Sequence, residues 1–303
     1  MTMEDAASSL KSAPKAADVR LTDVVAVHWS QDRQMVERAR AAVDTLIADE
    51  GLNKEGRLRA LAKLDHFHGG GIETTETLRK LMNIPAKPGL RGLDIGSGMG
   101  GPMRWFALQV PAHMDGVDVT PGLVSIAREI SERIRMDKQC FHGAGDALRI
   151  PSEDGQYDFA TMMAVSCNIP DRAGLYRSIH RVLRPGGVVG MLDIVKGPVE
   201  GLVLPVPWSR DGSETTSKLL TPRETIHEAN NAELMFVTQQ DVSPEVLAWF
   251  RNEQKELAQG RPVGFETVVP DWKDMVDSQV KNLAEQHIGF YCMVFSKPID
   301  KDM

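Results

Sequence analysis

The sequence predicts an α/β fold in which an open parallel sheet carries helices on both faces. Three observations carry this. From about residue 92, short apolar runs bounded by Gly, Asp or Pro alternate with helical stretches, and strands alternating with helices imply parallel pairing through right-handed crossovers. A glycine-rich stretch, Gly96-Ser-Gly-Met-Gly-Gly101, lies between the first apolar run and the first helical one. Arg184-Pro-Gly-Gly187 sits where a helix must stop and a strand begin.

In order, the apolar runs at 92–96, 114–120, 139–143, 157–165 and 188–195 are expected as strands. The segments at 102–110, 123–136 and 173–183 are expected as helices. Thr221-Pro-Arg-Glu224 reads as a capping box with Pro at the first helical position, so a helix should run to about Asn231, with a strand near 234–239. Ser243-Pro-Glu opens a further helix in the same way, and 243–287 reads as largely helical with Pro270 interrupting. The run 289–296 closes the sheet, and helices dominate 32–83. The organisation expected is a loose tail over 1–20, a helical cover over 21–87, and a sheet domain over 88–303. That domain has a loop at 200–220 and a helical insert at 243–287.

Composition narrows the function. The chain has 303 residues, with 35 Lys and Arg against 42 Asp and Glu, a formal charge of -7. An acidic surface repels phosphates, which argues against nucleic acid as a partner. No run approaches the roughly 18 apolar residues of a membrane span. Three cysteines without CxxC spacing fit a reducing compartment. The first twenty residues lack a secretory apolar core, so the cytoplasm is expected. The sequence is compatible with a homodimer and does not require one.

The glycine stretch supports two readings. Gly96, Gly98 and Gly101 satisfy G-x-G-x-x-G, the pattern that seats a dinucleotide pyrophosphate at a helix N-terminus. Asp94, Gly96, Gly98 and Gly100 equally satisfy D-x-G-x-G-x-G. Asp118 follows Gly100 by 18 residues, near the roughly 20 at which a carboxylate can hold ribose hydroxyls under either reading. Three further signals follow in order: Gly145-Asp-Ala-Leu148 after the third strand, Tyr157-Asp-Phe-Ala with Asn168-Ile-Pro-Asp171, and Arg184-Pro-Gly-Gly187. The set resembles the class I S-adenosylmethionine-dependent methyltransferases across residues 92–196. Within that class the chain looks most like small-molecule N-methyltransferases of the sarcosine and dimethylglycine type.

The resemblance implies a Rossmann-like seven-stranded sheet and S-adenosyl-L-methionine as cofactor. It assigns Asp94, Gly96, Ser97, Gly98, Gly100, Asp118, Val119, Asp146 and Ala147 to that cofactor, with Asp146 at the adenine amino group. Taken alone, Asp146 can equally be a turn former. An in-line displacement calls mainly for positioning and exclusion of water, and no residue stands out as a catalyst.

For the acceptor, His68, Asn168, Trp208 and Arg210 are the candidates. His66 and His68 lie two apart in Leu64-Asp-His-Phe-His-Gly-Gly-Gly71, too few ligands for a metal. That stretch resembles the N-terminal segment covering the cofactor in small-molecule methyltransferases, and it also reads as a helix-ending glycine turn. Trp208 and Arg210 follow the fifth strand, where Trp208 could wall a small substrate and Arg210 pair with its carboxylate. Packing and solvation are the competing roles for those two. Asn168 stands where many relatives carry His, and an amide cannot take a proton.

The expected function is methyl transfer to a small metabolite, an amine nitrogen of an amino-acid-like acceptor. Two alternatives stand beside it: a carbon or oxygen of a quinone, sterol or other apolar acceptor, and an NAD-dependent oxidoreductase. An inward Arg210 would favour the amino-acid acceptor, and an outward Arg210 beside an apolar groove would disfavour it.

Overall fold

The computed structural model describes residues 33–299. The tail expected over 1–20 lies outside them, as does the start of the helical cover. Three helices come first: α1 (Arg33–Leu46), α2 (Lys54–Asp65) and α3 (Gly71–Met82). The alternating section follows with β1 (Leu90–Ile95), α4 (Gly101–Gln109), β2 (Ala112–Asp118), α5 (Pro121–Arg133), β3 (Cys140–Ala144), β4 (Tyr157–Met163), α6 (Arg172–Val182) and β5 (Leu183–Lys196). The chain ends with α7 (Pro222–Asn231), β6 (Met235–Asp241), α8 (Ser243–Gln259), α9 (Trp272–Ala284) and β7 (Ile288–Ser296).

The seven strands form one sheet in the order β3-β2-β1-β4-β5-β7-β6. All neighbours pair in parallel except around β7, which runs antiparallel to both β5 and β6. The expected last strand is therefore the one reversal in an otherwise parallel sheet. β1 and β4 are almost wholly buried, as continuous apolar runs covered on both faces must be. One apolar cluster lies under α3, α4 and α5, and a second lies under α6 and α7. Parallel register sets Ile95 beside Val117 and Met162. The loops leaving these strands consequently open along one edge, where α/β sheets bind ligands.

Two expectations on local structure change. Arg184-Pro-Gly-Gly187 lies inside β5, because Tyr157 pairs with Leu183 and Phe159 with Val188, which leaves 184–187 bulged out. Gly186 N–H donates to the Lys297 carbonyl and Lys297 N–H to that of Gly187, at 2.9 Å each, so the residue just after β7 completes the turn. Ser243 does not cap α8. Its hydroxyl accepts from Phe290 N–H at 2.9 Å and ties the helix to β7.

The capping box at α7 forms as read. Glu224 N–H donates to Thr221 Oγ1 at 3.3 Å, and Thr221 N–H donates to the Glu224 carboxylate at 2.8 Å. Thr221→Ala should lower stability by about 1 kcal/mol, read as an earlier urea midpoint with unchanged slope.

Candidate active site

The glycine loop between β1 and α4 is held in shape from beneath. Gly96 and Gly98 have φ of 67° and 50°, a region that favours glycine. A Cβ at Gly96 would lie 2.3 Å from Val165, whereas one at Gly98 would meet only Phe67 Cδ2, at 3.5 Å. The crown of the loop therefore faces open space and one aromatic ring. Its amides are already engaged. Gly96 N–H and Ser97 N–H donate to Val117 O at 2.8 and 3.1 Å, Gly98 N–H to Asp118 Oδ2 at 2.9 Å, and Gly100 N–H to Ser97 O at 2.7 Å. A pyrophosphate site needs those donors turned outward.

The cleft beside this loop gathers most of the residues assigned from sequence: Gly96, Gly98, Asp118, Val119, Asp146 and Ala147, together with Asn168. Asp118, at the end of β2, also accepts from Thr120 N–H through Oδ1 at 2.8 Å. Burial pushes its carboxyl up, and the amides of Thr120 and Gly98 work against that. Each of its oxygens retains a lone pair for a ligand hydroxyl. Asp146 accepts from Leu148 N–H at 2.9 Å and caps a short 3-10 turn at Ala147–Arg149. It forms the turn and lines the cleft at once, so the two readings of that residue coexist.

Three assigned residues stand behind the cleft wall. Gly100 begins α4 against His142 and Arg104. Ser97 Oγ is buried without a partner and turns toward Gly116. Asp94 is buried and accepts from Thr161 Oγ1 at 2.7 Å. Burial pushes its pKa up to about 7, against the Thr161 hydrogen bond and with help from the Asp118 charge. The folded protein thus keeps a proton on Asp94 that the unfolded chain releases near pH 4, and stability falls as pH rises from about 4 to about 7. Asp94→Asn should flatten that slope, checked by thermal unfolding at pH 4.5, 6 and 7.5.

Among the described residues lining the cleft, two are carboxylates and none is Lys or Arg. Such a site attracts a cation and repels a pyrophosphate. S-adenosylmethionine, a sulfonium with an ammonium group, matches this charge.

Similarity to known proteins points the same way. Residues 93–191 match the family model described as a methyltransferase domain. The chain carries a methyltransferase domain. The domain is 34% identical over 105 residues to 24-methylenesterol C-methyltransferase 2 of Oryza sativa subsp. japonica, a match covering 35% of this chain and 29% of that protein. This chain thus aligns with about three tenths of the length of such a relative. Among solved structures, geranyl diphosphate C-methyltransferase from Streptomyces coelicolor A3(2) superposes with a TM-score of 0.66 at 16% identity, covering 93% of this chain and 100% of that one. A putative sarcosine dimethylglycine methyltransferase from Galdieria sulphuraria superposes with a TM-score of 0.63 at 19% identity, covering 75% of this chain and 86% of that one. At these identities the structural likeness is one of fold.

Next to the cofactor cleft of the methyltransferase domain lies a second, narrower space. It is walled by Phe67, Trp208, Phe250, Trp272, Met275 and Phe290, with His68 its one titratable lining residue among those described. The cleft holds about 120 Å³ and this chamber about 30 Å³. Both are below the roughly 300–1,000 Å³ of ligand pockets.

The four acceptor candidates separate here. Trp208 lines the chamber and is also anchored, since Nε1–H donates to Ser217 Oγ at 3.0 Å. His68 lines it too, but Nδ1 faces Gly69 O and Nε2 faces Thr75 Oγ1, each at 3.2 Å. Burial pushes its pKa down to about 3, so it is a neutral wall whose nitrogens are occupied. Asn168 donates to the carbonyls of Trp208 at 2.8 Å and Thr216 at 2.6 Å, which fixes the loop after β5 instead of offering an amide to a substrate. Arg210 lines neither space. It is partly exposed and pairs with Asp271 at 2.5 Å, because its loop turns the guanidinium toward the start of α9.

Sequence reading missed the buried network beneath the loop. Arg104 is fully buried and donates to Asp65 Oδ2 at 2.8 Å, to Met99 O at 2.5 Å and to Ser131 Oγ at 3.2 Å. Asp65 also meets His66 Nδ1 at 2.9 Å. Burial raises the Asp65 pKa, but His66 and Arg104 outweigh it and hold the carboxyl below its ordinary range. Asp65 and Arg104 are 39 residues apart, with no spacing signal to link them. Among the described residues no group of three or more His, Cys, Asp or Glu is placed to hold a metal, and no helix is long and apolar enough to cross a membrane.

Proposed function

We propose that the protein transfers a methyl group from S-adenosylmethionine to a small acceptor whose reacting end is apolar. The observation that carries this reading is the aromatic chamber opening beside the acidic cleft, with Arg210 turned away from it. An amino-acid acceptor needs an inward cation for its carboxylate, and the chamber offers none among the described residues. The reading preferred here is accordingly the alternative, a carbon or oxygen of a quinone, sterol or other apolar acceptor. The sterol methyltransferase relative supports that choice.

When bound, the cofactor would supply an electrophilic methyl: the bond from sulfur to methyl breaks as the acceptor's electron pair forms the new one, S-adenosylhomocysteine is left, and the charge gained by the acceptor is discharged by loss of a proton to solvent. The chain's own contribution is position and dryness. Asp118 and Asp146 would hold the nucleoside, the glycine loop would lie along the amino-acid portion, and Phe250, Trp272 and Phe290 would exclude water. The loop at 200–220 and the insert at 243–287 would form the acceptor site.

The test is an assay of the full chain with methyl-labelled S-adenosylmethionine against two extracts, one of apolar lipids and isoprenoids and one of polar amines and amino acids. Label in the organic extract is the expected result. Label confined to the amines would overturn the acceptor class, and tight NAD binding with no S-adenosylhomocysteine binding would overturn the cofactor.

A further inference from the structure

Two residues border both the cofactor cleft and the aromatic chamber: Phe67 and Ala164. On the reading that methyl passes from cleft to chamber, the transferring carbon crosses between these two walls. Ala164 presents only a methyl group there. Phe67 presents a whole ring, at 3.5 Å from the Cβ direction of Gly98 and therefore over the crown of the glycine loop. We propose that Phe67 is a positioning residue whose ring face receives the cationic sulfonium methyl and aims it into the chamber.

The ring is held for this task. Its backbone lies in the strap between α2 and α3, where Asp65 and His66 press against Gly101 so closely that a Cβ there would sit 2.4 Å from Asp65 Oδ1. The side chain packs against Phe265, centroids 5.4 Å apart, so the helical insert braces it from the far side. A sulfonium is a soft, weakly hydrated cation, and an aromatic face in a desolvated site attracts such a charge. The carboxylates of the cleft attract charge from the nucleoside side, at Asp118 and Asp146. A neutral ring can instead take the methyl end without forming an ion pair that would quench its electrophilicity.

This proposal rests on the cofactor assignment above, and its test separates the two. S-adenosylmethionine carries the positive sulfur and S-adenosylhomocysteine does not, so the ratio of their Kd values, by calorimetry on the full chain, reports what the ring does for the charge. Phe67→Leu should weaken S-adenosylmethionine by about 3- to 20-fold while leaving S-adenosylhomocysteine within about twofold. Phe67→Tyr should keep the ratio of the parent chain. Phenylalanine analogues with increasing ring fluorination at position 67 keep the shape and drain the π density, so the ratio should shift stepwise along the series even if the Leu variant folds poorly.

Equal weakening of both ligands in Phe67→Leu, or a flat response to fluorination, would show that Phe67 only packs and would overturn the proposal. Failure of the unsubstituted chain to bind either ligand would overturn the cofactor assignment beneath it.

Discussion

Asp118→Ala should lower affinity for S-adenosylhomocysteine by about 100- to 10,000-fold in calorimetric titration. The carboxylate has two tasks that fail together. It would lose two hydrogen bonds to ribose hydroxyls, each worth roughly 1.5–3 kcal/mol when one partner is charged, and each 1.4 kcal/mol is about tenfold in affinity. It would also leave Gly98 N–H and Thr120 N–H without the acceptor they have at 2.9 and 2.8 Å, which loosens the glycine loop itself. A loss of only a few-fold would mean that the ribose lies elsewhere. Asp146→Ala offers a graded comparison. It removes one cleft carboxylate and the cap of a short turn, and it leaves the glycine loop tied down.

The second large effect belongs to stability. Asp65→Ala should cost about 3–5 kcal/mol, because it strands the guanidinium of Arg104, fully buried, without its counter-charge. The measurement is the midpoint of urea unfolding for the full chain. Replacing both partners by apolar residues, Asp65→Leu with Arg104→Met, should cost far less than Asp65→Ala, since no buried charge is left unpaired. If single and double variants lose the same stability, the pair is not the anchor. Arg104 also grips Met99 O at 2.5 Å, so the single variant should lower cofactor affinity as well.

Much of the cleft was legible because its parts are local. Gly96, Gly98, Asp118 and Asp146 each sit at the end of a strand that can be read from its apolar run. Parallel pairing then brings strand ends to one edge of the sheet without further information. Asp94 shows where locality runs out. It belongs to the same motif, yet it lies behind the cleft wall with Thr161, which is 67 residues away in sequence and adjacent only through the pairing of β1 with β4. Phe67 lies between two histidines, whose chemistry is the more conspicuous signal in that segment. An aromatic within a glycine-rich strap was its only signal.

The sequence by itself determined the alternating order of elements, the glycine loop and the acidic character of the cleft. These follow from side-chain periodicity, from φ values few residues tolerate, and from charges at fixed offsets. Tertiary structure decided which way Arg210 points, that the Asn168 N–H groups are committed to holding a loop, and that aromatics from five separate segments meet in one chamber. A side chain's direction and partners depend on residues tens to hundreds of positions away. Arg210 and Asp271 are 61 apart, and Asn168 and Thr216 are 48 apart. No local pattern encodes such a meeting, and it arises only when the sheet and its covering helices bury their apolar faces together.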